Sequence, residues 1–326
     1  MGITRRRLAA AAGALLATPG ARAAVRWRLA TGYRAESFHT LNLASLTKAV
    51  QTSTGGEVAI DLHPNNTLVP LADIRAAVEA GRIEAGESIL TGLVREFPIA
   101  GADAVPFITA SYADAQRLWR FQRPLLTRAF EARGLAILCA VPWPPQGLYS
   151  VRPVASAADL RGSRMRTYNA TTARIAELLG AQGVDVAMVE VGKALAEGRI
   201  DSMITSAVTG VENRVWGQVK HYYEINAWFP KNVVFANAAA LARLPAPARA
   251  ALLAASAAAE QRGWAASVAA ATQSLDELRR NGMKVERTPP ELGRELKRLG
   301  ERFSLEWVRQ VGAEANEIFI PYFTQT

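Results

Sequence analysis

Few side chains in this chain are placed to do covalent chemistry. His39, His63 and His221 are its only histidines. Their spacing gathers no imidazoles and carboxylates around a metal, so each reads as structural or exposed and no metal site is expected. Ser88, Ser150 and Ser206 lack the G-x-S-x-G elbow that presents a nucleophile, and neither G-x-G-x-x-G nor G-x-x-x-x-G-K-[ST] occurs to cradle a phosphate. Cys139, the single cysteine, sits in the apolar run from Leu135 to Val141, where it can form no intramolecular disulfide and reads as a buried thiol. Catalysis is not indicated and no cofactor is expected. What remains is recognition. Arg166 closes a strand-like run, and a guanidinium offers two parallel N–H donors to a carboxylate. Trp143, Tyr149, Tyr168, Trp228 and Phe229 flank strand ends, where an aromatic ring serves either as stacking area for a flat ligand or as core.

The elements that must position these residues alternate between strand and helix. A short strand at Trp27 to Leu29 leads into a helix over Ser37 to Thr52, where Leu43, Leu46 and Val50 recur at helical spacing before Gly55-Gly56. Val58, Ile60 and Leu62 then alternate as a strand, and a helix carrying Leu71, Ile74 and Val78 follows Pro64-Asn65-Asn66. The segment Ala77-Val78-Glu79-Ala80-Gly81-Arg82-Ile83-Glu84 reappears as Ala194-Leu195-Ala196-Glu197-Gly198-Arg199-Ile200-Asp201. Each copy reads as a helix stopped by a left-handed glycine before a buried strand, which implies two related halves. Ser156-x-x-Asp159 resembles a capping box, Gly162 ends a short helix, and Arg164 to Tyr168 form a strand. A helix over Thr171 to Leu179, strands at Val184 to Val189 and Ile200 to Ile204, and a return crossing near Val233 to Asn237 come next. The alanine-rich stretch Ala248 to Arg280 holds no proline and predicts one helix about 50 Å long. Asn281-Gly282 turns into Met283 to Val285, and Glu291 to Ala313 closes the chain with amphipathic helices.

At the N-terminus Thr4-Arg5-Arg6-Arg7, the apolar run Leu8 to Leu16 and Ala21-Arg22-Ala23 form an export signal of either the twin-arginine or the Sec kind, with cleavage near Ala23. The remaining chain, of about 300 residues, suits two lobes of about 150 each. Half of the residues are hydrophobic and no later run reaches membrane-spanning length. The formal charge of +9 includes Arg5, Arg6, Arg7 and Arg22; the rest is spread along the chain without a nucleic-acid module, so nucleic acid is not an expected partner.

Ala158-Asp159-Leu160-Arg161-Gly162-Ser163-Arg164-Met165-Arg166 resembles the "D-L-K-G-x-K-x-R" segment of substrate-binding subunits of tripartite ATP-independent periplasmic (TRAP) transporters, dicarboxylate-type branch. Thr54-Gly55-Gly56-Glu57-Val58 is similar to that family's "T-G-G-x-V", Pro106-Phe107 to its "L-P-F", and Leu195 to Asp201 to its "L-x-x-G-x-x-D". The resemblance spans nearly the whole mature chain. It implies an α/β, two-lobed architecture like that of type II periplasmic binding proteins, with a central cleft and the long helix spanning both lobes. Expected boundaries are 1–23 for the signal, 24–150 for the first part of lobe 1, 151–237 for the first part of lobe 2, 238–280 for the return to lobe 1 with the spanning helix, and 281–326 for the rest of lobe 2. The implied function is periplasmic capture of a small organic carboxylate for TRAP membrane permease subunits. A ligand-presenting protein for a sensor system and an enzyme on the same scaffold are the alternatives.

The resemblance also places roles. The last arginine of the "K-x-R" segment pairs with the ligand carboxylate, which is Arg166 here. Arg164 reads as a solvated charge. Asn169, at a strand-to-helix turn, is a ligand contact or a cap. Glu87 follows the strand begun at Ile83, as a cleft residue or as a solvated loop acid. Gln146 stands where sialic-acid-binding relatives carry a second arginine, and Thr205 offers a hydroxyl where relatives offer an amide or an indole. Trp143 and Trp228 join them as candidate ligand contacts. With one fixed cation the expected ligand is a monocarboxylate with an apolar or aromatic body, unless Arg152 or Arg174 also reaches the cleft.

Overall fold

In the computed structural model, which describes residues 24–325, segments 77–84 and 194–201 take the same backbone path. Arg82 N donates to Ala77 O at 2.9 Å and Arg199 N to Ala194 O at 2.8 Å, while Gly81 and Gly198 hold φ of 67° and 64°. Only glycine enters that region without steric cost, so one residue type at one position ends both helices and redirects the chain into a buried strand. The expected export signal, 1–23, lies outside the described residues.

Around these two turns the elements follow in order. Strand β1 (Val25–Ala30) leads to helix α1 (Phe38–Ser53), β2 (Val58–His63), α2 (Ile74–Glu79) and β3 (Ala85–Ile89). A 3-10 stretch at Pro98–Ala104 precedes α3 (Tyr112–Glu131), β4 (Leu135–Pro142) and β5 (Gln146–Ser150). Then come β6 (Arg164–Thr167), α4 (Ala170–Leu178), β7 (Gln182–Asp185), α5 (Val191–Ala196), β8 (Ser202–Ser206), α6 (Ala207–Glu212) and β9 (His221–Glu224). The chain continues through β10 (Lys231–Asn237), α7 (Ala238–Arg243), α8 (Ala246–Arg280), β11 (Lys284–Arg287), α9 (Pro290–Val311) and α10 (Ala313–Thr324).

The strands form two sheets, ordered β2-β1-β3-β10-β4 and β11-β9-β5-β8-β6-β7. Register brings one end of each sheet toward the other. In the first, Ile89 of β3 lies opposite Asn232 and Pro142 of β4 opposite Lys231, so the carboxyl ends of β3 and β4 meet the start of β10. In the second, Gln146 at the start of β5 faces Ser206 at the end of β8, beside the parallel end of β6. Residues 143–145 and 225–230 join these two ends, which is the topology that leaves a cleft beyond strand carboxyl termini. Helix α8 packs on α1 and β4 of the first lobe and on α6 and β11 of the second. Its path is close: a Cβ at Gly263 would come within 2.3 Å of Val141 Cγ2. Leu252 and Ala259 of α8 join Leu43, Leu46, Trp27 and Val234 in one core, while Tyr149, Met203, Tyr222 and Leu278 centre another in the second lobe.

Sheet membership revises the expected boundaries. Strand β5 pairs with β8 and so belongs to the second sheet although it precedes residue 151, and β10 pairs with β3 and β4 and so belongs to the first although it precedes 238. Helix α10 packs on α3 rather than on the second sheet. The strand expected to reach Val189 stops at Asp185, because its partner β6 ends at Thr167 and the chain there turns into α4, leaving no ladder to extend. The Ser156 and Asp159 capping box is present.

Candidate functional site

Arg166, the penultimate residue of β6, is 3% exposed. Its Nε donates to Val186 O at 2.9 Å, and its guanidinium carbon lies 4.5 Å from the centre of the Tyr168 ring. Among the described residues no carboxylate forms an ion pair with it, and its two terminal nitrogens have no hydrogen-bond partner. Burial pulls its pKa down to about 10, against smaller upward pulls from Tyr168 and Asp185. It therefore stays charged at neutral pH. A buried guanidinium with its paired donors unspent is costly unless an anion completes it.

Its surroundings supply further unspent donors. Asn169 caps α4, its Oδ1 accepting from Thr172 N at 2.9 Å, while its Nδ2 is buried without a partner. Capping therefore uses Oδ1 and leaves Nδ2 without a protein partner. Gln146 is buried, with Nε2 donating to Pro144 O at 2.8 Å and its backbone N to Trp228 O at 3.0 Å. That anchor orients the amide and leaves Oε1 as a neutral acceptor. Trp228 is buried with Nε1 unpartnered. Thr205 is buried too, but its hydroxyl donates to Thr209 Oγ1 at 3.0 Å within the second lobe.

Glu87 lies within β3 and is 2% exposed, which corrects the solvated-loop reading. Its Oε2 accepts from Thr31 Oγ1 at 2.6 Å and its Oε1 from Asn232 Nδ2 at 3.0 Å, with His39 Nδ1 at 3.5 Å from Oε1. Asn232 Oδ1 in turn accepts from Tyr33 Oη at 3.1 Å and from Trp143 Nε1 at 2.9 Å. Trp143 packs against Tyr33, Phe38 and His39. Glu87 and Trp143 thus belong to one buried network that joins the ends of β1 and β3 to the start of β10 and to the crossing at 143–145. The lobes touch here: Val208 of α6 packs with Tyr33 and Trp143, and Arg34 Nη1 donates to Glu212 O at 3.3 Å.

Below this wall lies a pair that sequence reading missed. Lys231 and Asp103 are fully buried, with Nζ 3.6 Å from Oδ2 and the Lys231 backbone N donating to the same oxygen at 2.7 Å. Burial lifts the Asp103 carboxyl to about 6, against the pull of Lys231, and lowers the lysine. The signal available was a lysine at the head of the apolar run Val233 to Ala236; its partner is too distant in sequence to pair by pattern. The other arginines considered lie elsewhere: Arg174 makes a two-point contact with Glu306, Arg164 pairs with Asp201, and Arg152 is exposed. Among these described arginines Arg166 is the buried one without an ion-pair partner. Burial also raises the Cys139 thiol well above its usual range, which keeps it protonated and inert.

Residues 30–300 match the family described as bacterial extracellular solute-binding protein, family 7. An extracytoplasmic solute receptor of Bordetella pertussis that binds pyroglutamic acid superposes with a TM-score of 0.90 at 36% identity, covering 92% of this chain and all of that one. A TRAP solute-binding protein from a marine metagenome, specific for pyroglutamate and solved with it, gives 0.89 at 33% identity over 93% of this chain and 99% of its own. A solute-binding protein of Roseobacter denitrificans is 26% identical over 214 residues, 61% of this chain. The match spans 64% of that relative and 39% of a Sinorhizobium fredii protein, less than two thirds of either.

Proposed function

Because the chain belongs to the bacterial extracellular solute-binding proteins of family 7, the solute receptors of TRAP transporters, we propose that it captures a small cyclic monocarboxylate of the pyroglutamate kind and delivers it to membrane permease subunits. The observation that carries this reading is Arg166, a buried charged guanidinium with both terminal nitrogens unpaired. Its donors take the two carboxylate oxygens, and the aromatic face of Tyr168 holds the guanidinium plane. Asn169 Nδ2 and Trp228 Nε1 are neutral donors for a ring carbonyl, and Gln146 Oε1 is a neutral acceptor for a ring N–H. Glu87 and Trp143 shape the opposite wall without spending bonds on the ligand. The chain acts outside the cytoplasm after removal of residues 1–23, and it binds without catalysing. A dicarboxylate such as succinate would bury its second charge without a partner, at a cost of several kcal/mol. A phenyl-substituted monocarboxylate satisfies Arg166 but leaves the neutral donors idle. Calorimetric titration with pyroglutamate, succinate and phenylacetate tests the ranking, expected in the order pyroglutamate, phenylacetate, succinate. Tighter binding of succinate than of both monocarboxylates would remove the single-clamp reading.

A further inference from the structure

Resting on that reading, we propose that closing of the lobes over the bound carboxylate is coupled to uptake of a proton at Glu212, so that ligand is held more firmly as pH falls and released faster as pH rises. Arg34 follows β1 of the first sheet, and Glu212 ends α6, which follows β8 of the second. Arg34 Nη1 donates to Glu212 O at 3.3 Å, and Val208, one turn back on α6, packs with Tyr33 and Trp143. Beside this contact lies a cavity of 630 Å³ lined from both lobes, by Arg34 and Glu36 on one side and by Glu212, Arg214 and Trp216 on the other, with Glu277 of α8.

Glu212 is enclosed here without being paired. Arg34 reaches its backbone oxygen, and among the described residues neither a hydrogen bond nor an ion pair meets its carboxyl. Glu277 is held by Arg280 and Asn281, while Glu36 and Arg214 are exposed, where water and salt screen them. Burial outweighs the pull of Arg34 and, with Glu36 adding to it, lifts the Glu212 carboxyl to about 7. Parting the lobes separates the two sides of the cavity and returns the carboxyl to water, where it ionises at about 4.3. The closed form therefore holds a proton that the open form lacks between those values. Closure is favoured at acid pH, and that gain is lost as pH rises through 7. Pyroglutamate stays an anion and Arg166 a cation across this range, so neither supplies the slope. Asp103 also titrates in it, buried against Lys231 within the first lobe, so the comparison with a Glu212 variant decides the source.

The test is titration of pyroglutamate into the mature chain, dialysed free of copurified solute, at pH 5.5, 6.5 and 8. Binding and release are followed by stopped-flow tryptophan fluorescence, to which Trp216 in the cavity wall contributes. The wild type should bind about tenfold tighter at pH 5.5 than at pH 8, with the change in the release rate. Glu212→Gln, an uncharged stand-in for the protonated acid, should bind at pH 8 as tightly as the wild type at pH 5.5 and lose most of the slope. Arg34→Met removes the bond between the lobes and should release ligand roughly fivefold faster at pH 8. A flat wild-type profile, a slope carried by the association rate, or an equal slope in Glu212→Gln overturns the coupling and leaves the carboxylate reading standing. Release from Arg34→Met at the wild-type rate shows that the contact survives opening and overturns it as well. Absence of binding at every pH overturns the reading beneath it, and the coupling with it.

Discussion

Replacing Lys231 by methionine tests whether the fold around the cleft depends on a buried ion pair. Methionine keeps the length of the stem and removes the charge, leaving the Asp103 carboxylate fully buried with one backbone N–H at 2.7 Å and no side-chain partner. Breaking a buried pair from one side costs about 3–5 kcal/mol, since the surviving charge has lost its compensation. The native Nζ also lies 5.7 Å from the Trp119 ring centre, a smaller contribution lost with it. Burial already holds the Asp103 carboxyl at about 6, and removal of its cation raises it further. The folded variant therefore takes up a proton that the unfolded chain, with a carboxyl near 3.9, does not hold. Its deficit is largest at pH 8 and shrinks as pH falls through the folded value. Adding Asp103→Asn removes the stranded charge and should restore most of the stability. Urea unfolding of the wild type, both single variants and the double variant at pH 5 and pH 8 reads all of this. A Lys231→Met variant within about 1 kcal/mol of wild type at pH 8, or a double variant no better than the single, refutes the reasoning.

Gly263→Ala should destabilise by roughly 1–3 kcal/mol although alanine is the better helix former, because the new methyl meets Val141 at 2.3 Å and Asn42 Nδ2 at 2.9 Å; a gain in thermal midpoint would contradict the close approach of α8. Burial pushes the Glu212 carboxyl up to about 7, with Arg34 opposing and Glu36 adding to the shift. Its folded value exceeds its unfolded one, so its favourable share is present at acid pH and is lost as pH rises through 7. Glu212→Gln should accordingly gain roughly 1–3 kcal/mol at pH 8 and under about 1 at pH 5 in chemical unfolding, and an equal change at both pH values would contradict it.

Local grammar was legible and long-range pairing was not. The glycine stops at 81 and 198, the Ser156 box and the unbroken α8 rest on residues a few positions apart, and the chain signals them directly. The assignment of β5 and β10 to sheets depends on partners that local pattern does not name, so both fell on the wrong side of the expected boundaries. Helix α3 carries no clear local signal: Pro124 lies inside it as a breaker, and tertiary packing of Leu118, Leu126 and Phe130 overrides that breaker. In the site, Arg166 is legible because it ends a nine-residue segment that carries the family resemblance. The commitment of Glu87 to Thr31, 56 residues away, and to Asn232, 145 away, became visible only in three dimensions.

The central claim is that Arg166 is the carboxylate clamp, and titration of pyroglutamate into Arg166→Ala beside the wild type tests it most directly. Loss of one member of a desolvated charge pair costs about 2–5 kcal/mol, so affinity should fall by roughly thirtyfold to several thousandfold with the far-ultraviolet circular dichroism unchanged. Affinity within about threefold of wild type in a folded Arg166→Ala protein would contradict the account.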